Sequence, residues 1–362
     1  MNTLSTIAGR LLSWLRSMVA LLLAPAMLVS CTQVEPQGEP VIRINTGGLI
    51  GEAGVFLAAD NGYFEQEGVK VRFVTAAANA STDSLAQLAT GDLDIALFGP
   101  TAAMFNAIDR GFDVVGIMPL NVLTPGDNSR GLVVRQELID SGRYRDAGDL
   151  RGLKVGTLTT GGVGHFFVLE ALHKGKVRPD EIELSTLPMP DSIIALSTGS
   201  LDASFLVEPF ISAIRERKAG ELAISSADTS TGVPTAVVFV STDFARRHRA
   251  LVERFTVALL KGQRDYADAV ASGRGRDKLL RSLQRHTATK EMARLEKLAL
   301  PHVDPDGGYD PEGLMRLQRF FIESGAMRHA IAPDRVFDDR YVQHARQVLA
   351  ARAAETAGAP AR

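Results

Sequence analysis

Thr159-Thr160-Gly161-Gly162-Val163-Gly164-His165 concentrates more usable chemistry than any other stretch of the chain. Two hydroxyls, three glycines and a histidine lie between an apolar run at 154–158 and a helical pattern at 163–173. A helix start exposes unpaired backbone N–H groups at the positive end of the helix dipole, so this order suits an anionic or carbonyl oxygen. Gly162 and Gly164 offer main chain only, Val163 lies between them, and Thr160 stands just upstream. Two readings of His165 stay open: contact with a bound molecule, or packing under the helix with its ring satisfied.

Other loops carry polar groups at comparable places. Thr46-Gly47-Gly48-Leu49-Ile50-Gly51 follows the first strand-like run, and its glycines permit close backbone approach, so Thr46, Gly48 and Leu49 are candidates for contact. Gly99-Pro100-Thr101 opens a second helix, with Pro100 suited to a first turn and Thr101 bearing a hydroxyl. Pro125 to Arg130 adds Asn128 and Ser129, while Arg130 reads either as a further polar group or as a solvated surface charge. Glu208-Pro209 closes a strand-like run and aims a carboxylate the same way, as a ligand group, an interlobe hydrogen bond or a cap; Asp191 stands at a helix start.

Positioning these loops requires alternating strands and helices. Short apolar runs at 41–46, 69–74, 95–98 and 114–118 alternate with helical patterns at 52–61, 82–90 and 101–110, which is the mark of βα units and a mostly parallel sheet. A second series follows: strands at 131–135, 154–158 and 182–187, helices at 163–173 and 191–198, and a returning strand at 235–240. Helices then fill 244–271, 278–283, 290–300, 311–323 and 339–353. LATGDLDIALFGP at 88–100 recurs as LSTGSLDASFLVEP at 196–209, with Asp94 and Asp202 after the turn in both copies. A repeat at the length of a lobe argues for two similar lobes rather than a solenoid, and the two aspartates are expected to pin their turns.

The N-terminal segment differs in kind. Arg10 and Arg16 precede an apolar core at 17–27 that is too short to span a bilayer and has the length of a signal-peptide core. It ends in Leu28-Val29-Ser30-Cys31, which resembles a lipobox and implies lipidation of Cys31. Cys31 is the only cysteine, so no disulfide framework or thiolate cluster is available to the rest of the chain. Residues 1–30 are expected as a leader and 31–40 as a polar, Pro-rich tether.

The segments AADNGYFEQEGVKVRFV (58–74), LAQLATGDLDIALFGP (85–100), DLRGLKVGTL (149–158) and ALSTGSLDASFLVEP (195–209) resemble the binding proteins for sulfonate, taurine, nitrate and the pyrimidine precursor of thiamine. That resemblance implies the type II periplasmic binding-protein fold, two α/β lobes with a ligand cleft between them. It further implies lobe 1 from 41–129 and 238–353, lobe 2 from 130–237, a frayed tail at 354–362, and hinges near 129–134 and 235–240. The implied function is capture of a small polar or anionic organic solute, sulfonate-, nitrate-, taurine- or pyrimidine-precursor-like, by lobe closure. The implied partners are the permease and ATPase subunits of an ABC importer, with the protein monomeric, exported and held on a membrane through its lipid. Sulfonate relatives place a hydroxyl residue beside the glycine where this chain has Gly162 and Gly164, so the ligand's identity stays open. An enzyme of the same fold, or the ligand-binding subunit of a sensor, are the alternatives.

Composition excludes other classes. A formal net charge of −2 with no concentrated basic run leaves nucleic acid without a footprint. The seven histidines lack metal-ligand spacing, and there is no G-x-S-x-G, H-E-x-x-H or P-loop, so no cofactor, metal or catalytic residue is expected.

Overall fold

The structure, a computed structural model, describes residues 40–75, 81–228 and 231–358. The expected leader, Cys31 and nearly all of the expected tether lie outside the described residues, as do 359–362.

Lobe 1 begins with β1 (Ile42–Thr46), α1 (Ala53–Asp60), β2 (Val71–Thr75), α2 (Ser81–Thr90), β3 (Ile95–Phe98), α3 (Ala102–Asp109) and β4 (Val114–Val122). The chain crosses in β5 (Arg130–Arg135) to lobe 2, which contains β6 (Lys154–Thr157), α4 (Val163–Lys174), β7 (Glu183–Thr186), α5 (Met189–Thr198), β8 (Ala203–Val207), α6 (Phe210–Glu216) and β9 (Gly220–Ser225). It returns in β10 (Pro234–Ser241) and continues through α7 (Thr242–Arg247), α8 (Arg249–Ala271), α9 (Arg276–His286), α10 (Pro311–Glu323) and α11 (Arg340–Gly358).

Two five-stranded sheets result, ordered β2-β1-β3-β10-β4 and β7-β6-β8-β5-β9. In each, one strand runs against the rest: β10 pairs antiparallel with β3 and β4, and β5 pairs antiparallel with β8 and β9. Those two are the strands by which the chain changes lobe. A chain that leaves one parallel sheet at the carboxyl ends of its strands enters the next sheet from its carboxyl side, so the crossing strand must run backward there. The same geometry puts the carboxyl ends of both sheets face to face, which is where open α/β sheets bind ligands.

Strands with helices on both faces need near-continuous apolar sequence, and β3 (IALF) and β5 (RGLVVR) are buried over almost their whole length. One apolar cluster runs unbroken from Phe98 and Phe105 in lobe 1 to Phe166, Phe167 and Phe205 in lobe 2. α10 contributes Leu314, Leu317 and Phe321 to it, and Phe320 meets Phe166 edge-on at 4.9 Å. The C-terminal segment therefore packs against α4 of lobe 2 as well as on lobe 1.

Several boundaries differ from the sequence expectation. The expected helix at 244–271 is two, broken at His248, whose φ of −123° and ψ of 37° leave the helical region. The helix expected at 290–300 keeps only Met292–Leu295, and α11 runs to Gly358, five residues past its expected end at 353. Asp191 does not cap α5: Pro188 holds that position and Asp191 lies in the first turn, where a carboxylate favours the helix dipole. β9 and α6 were not visible as elements, because GELAIS lacks a clean alternation and α6 spans only seven residues.

Candidate functional site

The facing strand ends enclose a cleft of about 170 Å³ lined from both lobes. An apolar cavity of about 150 Å³ holds one benzene molecule, so the space fits a solute of few heavy atoms.

On the lobe 1 wall the loop after β1 folds around a buried carboxylate. Glu52 accepts the Thr46 hydroxyl at 2.5 Å on Oε2, the Gly47 amide at 3.1 Å on Oε1 and the Leu49 amide at 3.4 Å. Burial raises its carboxyl above the ordinary 4.5, against the pull of these donors. Thr46 and Gly48 thus serve the loop, Gly48 donating to Thr46 Oγ1 at 3.0 Å, and neither lines the cleft; Leu49 does. Thr101 lines it too, as N-cap of α3 accepting from the Met104 amide at 3.1 Å, while Pro100 lies outside the lining.

The crossing strands carry the charge. Arg130, at the first position of β5, is buried and lines the cleft, which corrects the surface-charge reading. Its guanidinium donates to Thr235 Oγ1 on β10 and to Asn121 Oδ1 on β4 at 3.2 Å, and its Nε is 3.4 Å from Asp127 Oδ2. Asp127 Oδ1 in turn accepts the Ser129 amide at 2.8 Å and its hydroxyl at 2.5 Å. Burial pulls the Arg130 pKa below the ordinary arginine value and the Asp127 charge opposes that. A guanidinium has five N–H donors, so Arg130 keeps donors to spare for an anionic oxygen. Asn128 between them is exposed and outside the lining.

Main chain dominates the lobe 2 wall. Leu158, Thr159, Gly162, Val163 and Gly164 follow β6 and start α4 along the cleft. The nearest atoms to a Cβ on Gly162 would be those of Thr159 at 3.5–3.6 Å, whereas one on Gly164 would lie 2.8 Å from both Phe205 Cδ1 and Thr157 Oγ1. Thr157 Oγ1 is buried with no hydrogen-bond partner among the described residues. Thr160 is exposed, and Asp191 is exposed two residues on from Met189, which does line the cleft. His165 lies outside the lining: its buried Nδ1 accepts the Gly161 amide at 3.1 Å, and burial lowers its pKa. Glu208, at the end of β8, lines the cleft and accepts the Ser212 amide and hydroxyl, both at 3.0 Å. Burial raises its carboxyl above 4.5.

The cleft therefore gathers Leu49, Thr101, Gly162, Val163, Gly164 and Glu208, and leaves out Thr46, Gly48, Pro100, Asn128, Thr160, His165 and Asp191. Ser129 and Arg130, weighed as polar groups of the 125–130 segment, line it as well, while Asn121, Thr235 and Pro301 line it without having been singled out as contacts. Arg130 had a visible signal, a charge opening an apolar strand; Pro301 had none, since only the tertiary fold brings it there.

A model described as NMT1-like family matches residues 35–272. The chain belongs to the NMT1-like family. The taurine-binding periplasmic protein of Escherichia coli (strain K12) is 26% identical over 212 residues, 58% of this chain. The chain spans 61% of the length of that curated relative. Among solved structures, the periplasmic aliphatic sulphonate binding protein SsuA from Escherichia coli superposes with a TM-score of 0.65 at 18% identity, covering 83% of this chain and 99% of its own. The periplasmic nitrate-binding protein NrtA from Synechocystis PCC 6803 gives 0.68 at 15%, covering 89% and 92%. At these identities the structures share the fold: two α/β lobes, each a mixed sheet flanked by helices.

Among the described residues no three His, Cys, Asp or Glu side chains are grouped to hold a metal ion, and no helix is long and apolar enough to cross a membrane.

Proposed function

We propose that this chain is the solute-binding component of an ABC importer, exported and held at the membrane by lipid on Cys31, and that it captures a small organic solute between its lobes and hands it to a permease. The observation that carries the reading is the pairing of Arg130 with the glycine-started α4 on one small cleft, with Glu208 beside them. Donors from the guanidinium and from the first amides of α4 suit an anionic head group. Glu208 suits an amine or hydroxyl on the same solute. Arg130 is offset by Asp127, and both Glu52 and Glu208 face the space, so a simple anion leaves those carboxyl groups unmatched while a zwitterion brings a cationic group to them. Taurine-like solutes fit this charge pattern better than nitrate.

An enzymatic reading would need a nucleophile with a base beside it. The lining holds hydroxyls but no histidine, and His165 already spends Nδ1 on Gly161. Mass spectrometry of the solute retained by gently purified protein tests the reading directly. A small zwitterionic or anionic organic compound is expected, and raising it to about a hundred times its dissociation constant should add about 2.7 kcal/mol to stability. Turnover of that compound into a product would overturn the assignment. For the anchor, native protein should carry lipid on Cys31 and Cys31→Ser should lose it; an unprocessed N-terminus in the native host would remove that part of the proposal.

A further inference from the structure

The two lobes touch at a place that no solute contact explains. Ala102 is the first residue of α3 in lobe 1, so its N–H has no partner within the helix. It donates instead to the carbonyl of Gly161 in lobe 2, at 2.7 Å. Gly161 adopts φ +74°, a left-handed conformation natural to glycine, and a Cβ there would sit 3.1 Å from Ala102 Cβ. Its amide points the other way and donates to His165 Nδ1 at 3.1 Å. Accepting at Nδ1 leaves the ring proton on Nε2, so His165 is neutral and held in one tautomer. Both polar groups of Gly161 are thus engaged, one inside its own lobe and one across to the other. None of Ala102, Gly161 and His165 lines the cleft.

We infer that these three residues form a latch that holds the lobes closed independently of the solute, with Ala102 N–H and Gly161 C=O as its two halves and His165 as the positioning residue. The histidine holds the Gly161 N–H, and from that anchored peptide plane the φ of +74° at Gly161 turns the next peptide's carbonyl toward α3. The lobes also approach closely nearby, where a Cβ on Gly99 would lie 3.0 Å from Val163 Cγ2. The inference goes beyond the transport reading, because it concerns the closed state of the empty protein whatever the solute.

The test is an interlobe distance distribution by double electron–electron resonance. The full chain carries Cys31→Ser, so that spin labels go only to Ala89→Cys on α2 and His173→Cys on α4, both exposed. Measurements are made on protein dialysed free of solute. Ala102→Pro removes the donor at low cost to the helix, since proline favours the first helical position and Thr101 already has the extended φ of −127° and ψ of 156° that a following proline requires. The wild type should show a short-distance population, and Ala102→Pro should lower the closed-to-open ratio about fivefold, the net effect of one hydrogen bond. His165→Leu should do the same with melting kept cooperative. His165→Asn, whose Oδ1 replaces the Nδ1 acceptor, should restore the short distance. An empty wild type with no short-distance population, or an unchanged distribution in both Ala102→Pro and His165→Leu, would overturn the latch. Failure of His165→Asn to rescue would overturn the positioning role.

Discussion

In lobe 1 the Asp94 amide donates to the Arg43 carbonyl at 3.0 Å while its Oδ2 accepts the Arg43 amide at 2.8 Å, tying the start of β3 to β1. In lobe 2 Asp202 does the same with Lys154, at 2.9 and 3.0 Å, tying β8 to β6. Each carboxylate also holds an arginine, Arg43 at 2.7 and 2.9 Å and Arg135 at 2.9 Å. Each follows a glycine with positive φ, Gly91 at +74° and Gly199 at +76°. At the ends of the strands that follow, the copies part. After β3 comes Gly99, whose missing Cβ admits Val163 of the other lobe; after β8 comes Glu208, which places a carboxylate in the cleft. Residues shared by the two copies hold the sheets, and residues that differ at the ends of the same strands make the site.

The largest effect should come from the shared residues. Asp94→Ala and Asp202→Ala each remove a charged acceptor from a backbone amide and an arginine, and should each cost about 2–3 kcal/mol in urea unfolding with solute affinity nearly unchanged. A large inequality between them would break the equivalence of the lobes. Next come the glycines that differ from their counterparts in other contexts by what surrounds them. Gly162→Val has room for its Cβ and should keep the melting temperature while weakening solute binding at least tenfold, about 1.4 kcal/mol by titration calorimetry. Gly164→Val has no such room against Phe205 and Thr157, so it should cost about 1–3 kcal/mol in stability as well. Equal binding by wild type and Gly162→Val would remove the α4 amides from the solute site.

Legibility in the sequence followed the same division. The repeat around Asp94 and Asp202 was readable, including its structural role, because turn chemistry is local: a glycine, then an aspartate, then an apolar strand. The glycine loop before α4 was readable for the same reason, as were Thr101 and Glu208 at strand ends. The rest of the cleft depends on the crossing strands. Asn121 and Thr235 lie far apart in the chain and meet only because β10 pairs antiparallel with β4, with register shifts at Pro234/Ala236 and Ala236/Val237 that no periodicity announces. Arg130 could be read as solvated from its polar neighbours, since Thr235 and the sheet around it come from the tertiary fold. Thr46 illustrates the converse: it was expected to contact the solute, but its hydroxyl donates to Glu52, six residues on, and it lies outside the cleft lining.

The smallest expected effect separates Glu208 from its surroundings by pH. Burial raises the folded Glu208 carboxyl above its ordinary 4.5, so as pH rises past that value the unfolded chain loses the proton first and the folded chain binds more protons. Stability from this group is therefore greatest below 4.5 and is lost as pH climbs through the folded value. His165 works in the opposite sense: burial lowers its pKa below 6.5, so its contribution is intact above that value and is lost as pH falls toward the folded one. Glu208→Gln removes the first dependence and leaves the second. The stability of the variant relative to wild type, from urea midpoints between pH 4 and 7, should therefore rise with pH, while affinity for a solute amine or hydroxyl falls at pH 7. A difference that stays flat across that range would mean that the folded carboxyl titrates as it does in the unfolded chain, and that Ser212, which donates to both of its oxygens, offsets the burial in full.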